Sequence, residues 1–180
     1  RDRLNNFKKN PNFAKYDKTK DFKARNISEE KLQELNKRYV NAKNNYKKAG
    51  EDYIKAEGKF KDIKEKIEKC DEETEDCEAL KEEIKHNAQD FLIKTADRII
   101  EHLEKVKANV EASEDLTEEE ISEITTELDE MISDVESAKS VIESSEDKEE
   151  IKEASKEIKK VWSRIKKRMA LHTGRIINAR

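Results

Sequence analysis

Residues 32–70 read LQELNKRYVNAKNNYKKAGEDYIKAEGKFKDIKEKIEKC. Apolar or small side chains fall at Leu32, Leu35, Tyr39, Ala42, Tyr46, Ala49, Tyr53, Ala56, Phe60, Ile63, Ile67 and Cys70, in steps that alternate between three and four. That is the heptad repeat of a helix lying along a partner helix. One seam position carries Leu32, Tyr39, Tyr46, Tyr53, Phe60 and Ile67, and the other carries Leu35, Ala42, Ala49, Ala56, Ile63 and Cys70. Rings therefore alternate with alanines. A neighbouring backbone can come close on the alanine side, and the rings Tyr39, Tyr46, Tyr53 and Phe60 are expected to fill the other side as a helix seam buried against other helices of the same chain or of a neighbouring one. At 1.5 Å per residue the helix is roughly 60 Å long. Gly50 and Gly58 inside it each cost about 1 kcal/mol relative to alanine, so close packing is expected at both.

The next segment, Cys70-Asp71-Glu72-Glu73-Thr74-Glu75-Asp76-Cys77, decides how the chain continues. In an uninterrupted helix the two sulfurs would sit roughly 10 Å apart along the axis, too far to bond. If the chain reverses here, the cysteines lie at the facing ends of an antiparallel hairpin, with Thr74 as cap of the returning helix. A Cys70–Cys77 disulfide is expected, and with it an oxidising compartment. The acidic tip offers carboxylates for a weakly held divalent cation but lacks the glycine turn and alternating ligands of an EF-hand loop. A solvated tip is the default.

The helix after the reversal is expected from about Glu75 to Ala112. It carries Leu80, Ile84, Ala88, Phe91, Leu92, Ala96, Ile99, Leu103, Val106 and Val110, and it matches the first helix in length. Thr117 with Glu120 forms a capping box for a third helix, whose stripe is Ile121, Ile124, Leu128, Met131, Val135, Ala138 and Ile142. Ser144-Ser145-Glu146-Asp147 interrupts it and caps a fourth helix with Ile151, Ala154, Ile158, Val161, Trp162, Ile165 and Met169. Gly174 is expected to end that helix, and Ile176 and Ile177 follow in the tail.

Upstream of Ser28, which with Glu29 and Glu30 signals a helix start, the chain changes character. Residues 1–27 hold Pro11, many Asn and Lys, and four rings (Phe7, Phe13, Tyr16 and Phe22), with almost no aliphatic residues. We read a basic aromatic arm. Its rings could stack on single-stranded nucleic acid, but a chain of net charge −4 makes a poor polyanion binder. Such a segment buries too little to offset its own ordering entropy, so something outside it must hold it: a neighbouring copy, on which it is expected to dock as an assembly arm, or else a groove of its own bundle. Asn26-Ile27-Ser28 is a glycosylation sequon at Asn26.

Composition agrees. Charged residues are 46% of 180 and the hydrophobic set only 33%, with one proline and three glycines. A disordered chain shares this signature but has no reason to keep a heptad register, whereas a thin bundle needs only narrow apolar stripes. Charge is segregated: residues 111–150 are crowded with Glu and Asp, and residues 156–180 are basic. Separated blocks of this kind can steer association. No apolar run is long enough to span a membrane. The start at Arg1 rather than Met fits removal of a leader or a trimmed boundary.

No nucleophile constellation or phosphate loop is visible. Glu83-Ile84-Lys85-His86 has di-iron spacing, but His102 and His172 lack the matching glutamate. All three histidines are expected at the surface, with no metal and no cofactor.

The expected fold is all-α: an extended antiparallel bundle of one long disulfide-closed hairpin (28–112), a shorter hairpin and tail (113–180) packed on its open end, and the arm (1–27). The expected function is a non-enzymatic secreted or cell-surface structural subunit that assembles with itself into a filament, layer or other homo-oligomer. A monomeric extracellular binding module or adhesin is the alternative, and an intracellular coiled-coil adaptor is a third, which would need free thiols.

Overall fold

The computed structural model describes residues 27–70 and 75–178, with side chains for 27–70 and 77–170. Its four helices are α1 (Glu29–Glu68), α2 (Glu75–Glu111), α3 (Glu118–Ser144) and α4 (Lys148–Asn178). The described residues contain no strand. The architecture is the expected all-α bundle, one long and one shorter hairpin.

Helices α1, α3 and α4 begin where a side chain can take up free backbone N–H groups. At α1 the Ser28 hydroxyl accepts from the Lys31 N–H, and Glu29 and Glu30 sit in the first turn. At α3 the capping box is complete: the Glu120 N–H donates to Thr117 Oγ1 at 3.2 Å, and the Thr117 N–H donates to Glu120 Oε2 at 3.1 Å. At α4 the Glu150 N–H donates to Asp147 Oδ1 at 2.8 Å, while the Glu150 carboxylate accepts from the Glu146 N–H at 2.7 Å. The end of α3 is closed from outside. The Gln89 side-chain amide on α2 donates to the carbonyl oxygens of Ile142 at 2.8 Å and Ser145 at 3.2 Å.

The reversal between α1 and α2 is joined by the Cys70–Cys77 disulfide, with Cα atoms 5.9 Å apart. Residues 71–74, including Thr74 and most of the acidic tip proposed for cation binding, lie outside the described residues, as do Asn26 and the arm rings Phe7, Phe13, Tyr16 and Phe22.

One helix holds the molecule together. α2 packs against α1, α3 and α4, and α3 packs against α4. α1 meets α3 and α4 only at isolated points. The main core joins α2, α3 and α4: Leu103, Ile124, Leu128, Met131, Ile142, Val161 and Ile165 are almost fully enclosed. The α3 and α4 stripes are the ones read from periodicity. The hairpin of α3 and α4 lies along the flank of α2 as well as at its open end, since Gln89 already touches the α3 terminus. Charge blocks meet here: Arg164 of α4 lies 3.8 Å from Asp134 of α3, Arg168 lies 3.6 Å from Glu130, and Lys139 of α3 lies 2.8 Å from Asp97 of α2.

One expectation is corrected. α4 does not end at Gly174 but continues to Asn178. No described glycine has positive φ, so Gly174 stays in the helix and does not supply the left-handed turn of a C-cap. Within its own chain the seam of α1 is not evenly buried. On the alanine side Leu35, Ala56 and Ile63 are enclosed, whereas Tyr39, Tyr46, Tyr53 and Phe60 are only half-buried. The small residues let α1 lie close to α2, and the rings, too bulky for that space, turn to the edge.

This difference is measurable. Leu103→Ala should cost about 2–5 kcal/mol, whereas Phe60→Ala should cost about 1–2 kcal/mol rather than the about 3–5 kcal/mol of a fully buried ring. Denaturant unfolding of the two variants checks the order. The bond at Cys70 and Cys77 should leave no thiol to label in denatured, unreduced protein, and its reduction should lower stability by about 2–3 kcal/mol.

Candidate interaction groove

The half-buried rings line a groove. α2 forms its floor, α1 one wall and α4 the other, because α1 and α4 flank α2 without closing on each other. Two adjoining cavities, about 970 Å³ and about 460 Å³, share Tyr53, Thr95, Ile158 and Lys159. The α1 wall is Tyr46, Tyr53, Phe60 and Ile67; the floor includes Ile84, Ala88, Phe91 and His102; the α4 wall is Ile151, Ile158 and Trp162. The seam period explains the α1 wall, since residues seven apart stack on one side of a helix. Tyr53 and Phe60 both contact Phe91, at ring-centroid distances of 5.3 and 5.7 Å, the second pair nearly parallel. The Arg98 guanidinium lies 4.7 Å from the Tyr53 ring centre and the Lys105 ammonium 4.3 Å from that of Tyr46. Each cation over a ring face helps hold that ring at the edge.

The rim is mostly basic. Lys81 and Lys85 are engaged by Glu78 and Glu82 one turn earlier, and Lys152 by Glu149. Lys148 and Lys159, also at the rim, have no ion-pair partner among the described residues.

His102 sits at the narrow end of the groove. Its ring lies 5.4 Å from Tyr46 and 6.4 Å from Trp162, edge-on to the indole. Its Nδ1 is buried without a hydrogen-bond partner among the described residues. Burial, reinforced by Lys105 and Arg98, holds its pKa below the usual histidine range. This corrects the surface assignment. Polar neighbours in sequence concealed that His102 stands one helical turn from Ile99 and faces two other helices. His86 is exposed as expected, and the side chain of His172 lies outside the described residues. On the same helix Glu101 is shifted upward by burial and by Glu104, although a hydrogen bond from Asn45 opposes this.

Beyond the groove edge α1 leaves two large aliphatic side chains open among Lys43, Lys47, Glu57 and Lys61. Val40 is 52% exposed and Ile54 64% exposed, both on the side next to the rings. Between them Gly50 has nothing within 4 Å of where a Cβ would stand, and the same holds for Gly58. The close packing expected at these glycines is thus not made within the described chain.

Among the described residues no group of three His, Cys, Asp or Glu side chains is arranged to hold a metal ion, and no helix is long and apolar enough to cross a membrane. Comparison of the chain with protein families, curated proteins and solved structures gives no match.

The His102 environment sets a pH dependence. A histidine held neutral in the fold takes up a proton more readily when unfolded, so stability is complete above the ordinary pKa of 6.5 and falls as pH drops below it. Glu101, with its raised pKa, acts in the opposite direction at lower pH. Thermal melts from pH 8 to pH 5 should show a larger loss for the parent than for His102→Gln, with the difference opening below about pH 6.5.

Proposed function

We propose that this chain is a non-enzymatic structural subunit that associates with copies of itself outside the cytosol, in a secreted or cell-surface setting. The observation that carries the reading is the apolar surface left open along α1: half-exposed rings, Val40, Ile54 and an uncovered Gly50. A solvated helix face has no use for large side chains in heptad register, whereas a face covered by a neighbour does. The Cys70–Cys77 bond supports the oxidising setting. The groove itself is walled by rings and aliphatic side chains, and the Nδ1 of its histidine is buried without a hydrogen-bond partner among the described residues, which suits packing better than acid–base chemistry. Residues 1–26 are proposed to supply a second contact, with rings as anchors and lysines meeting the acidic α3 of a neighbour.

One observation favours the second reading, a monomeric binding module. The larger cavity, about 970 Å³, falls in the size range of small-molecule sites.

Light scattering over a range of protein concentrations separates the two. The self-assembly reading expects mean mass to rise with concentration and to fall on deletion of residues 1–26, while circular dichroism retains the helical signal. A parent that stays monomeric throughout overturns self-assembly and leaves the binding module.

A further inference from the structure

The open face of α1 is self-complementary, and we propose that its occupant is α1 of a second copy, lying antiparallel and crossing at Gly50. This rests on the self-assembly reading above and names the surface that performs it.

The face is a strip about 160° wide on the helix circumference, at about 100° per residue. It contains Tyr39, Val40, Lys43, Tyr46, Lys47, Gly50, Tyr53, Ile54, Glu57, Phe60 and Lys61, which repeat in heptads about a centre at Gly50. In a two-fold contact each patch meets its own copy, so residues equidistant from the crossing point face each other, twice per dimer. About Gly50 this places Tyr46 at the level of Ile54, apolar on apolar. Lys43 falls opposite Glu57, and Lys47 opposite the Tyr53 ring. No like charges meet within the strip.

Several otherwise unexplained features agree with this register. Gly50 weakens α1 and nothing in the described chain approaches it, but at the crossing of two helices a missing Cβ lets the backbones come close. Val40 and Ile54 lie on either side of it, and both are more than half exposed in the single chain. Lys43 has no ion-pair partner among the described residues, while Glu57 holds only the exposed Lys61 of its own helix, at 2.8 Å. The neighbour's α1 also covers the open side of Tyr46, Tyr53 and Phe60, the rings that α4 leaves uncovered. The other candidates fit less well. Residues 1–26 are basic, like the free lysines at the groove rim. The outer face of α3 is acidic and small, with Val141 as its exposed large apolar side chain, so it has little to insert between rings.

The contact is isologous and closes as a dimer; a longer assembly needs a second interface.

The test uses the full chain, whose two cysteines are already paired. Gly50→Cys places one new thiol at the two-fold axis, where its copy lies within bonding distance. Mild oxidation should convert it rapidly to a disulfide-linked dimer, while Lys48→Cys, exposed on the opposite face of α1, should remain unlinked. Lys43→Glu should weaken dimerisation about tenfold, and adding Glu57→Lys to it should restore the parent value, with helicity unchanged in every variant. Equal linking at both positions, or a double variant no tighter than Lys43→Glu, overturns the pairing. A parent that is monomeric at all concentrations brings down the self-assembly reading with it. A parent that associates, responds to deletion of residues 1–26 and ignores the α1 changes overturns the α1 pairing alone and assigns the contact to the arm.

Discussion

The burial of α2 on several sides is the constraint on which the other helices depend. One face carries Leu92, Ala96, Leu103 and Val110 into the core shared with α3 and α4, and another receives the alanine side of α1. A helix of a thin bundle normally buries a single stripe. Here α2 supplies two, and every other helix is placed by its contact with it. The chain can therefore be 46% charged and still fold, because the apolar residues are concentrated where they are used more than once.

The same arrangement leaves a surface unfinished. α1 is held by α2 alone along most of its length, and its close approach on the alanine side turns Tyr46, Tyr53 and Phe60 outward to the groove. α4 supplies Ile158 and Trp162 as the far wall but does not close over them. A chain that places four aromatic residues in register and then covers them only halfway has a surface suited to another helix, and this connects the fold to the proposed assembly. The contact with α2 and the exposure of the rings come from one physical cause, the difference in size between the two seam positions.

Charge works on both scales. Read along the chain, the acidic third helix and the basic fourth look like surfaces for steering other molecules. In the fold they lie antiparallel, and Arg164 and Arg168 face Asp134 and Glu130. These pairs are exposed and each contributes little, but between them they favour the hairpin register over its alternatives. Segregated charge in a sequence does not distinguish pairing within a chain from pairing between chains, because the same opposition of sign serves both.

From the sequence alone came the four helices, the N-caps of α1, α3 and α4, the disulfide hairpin and the α3 and α4 stripes, because each depends on residues within a few turns of one another. Thr117 and Glu120 meet across a single turn, and Cys70 and Cys77 meet wherever the chain reverses between them. The candidate groove was legible only in its α1 wall, through the ring seam. Its α4 wall, the half-buried state of the rings and the place of His102 between Tyr46 and Trp162 were not. These depend on how far apart two helices lie when a third comes between them, a distance fixed by side-chain volumes on all three together. Periodicity says which face of a helix is apolar. Only the packing of α1, α2 and α4 decides how much of that face its own chain can cover.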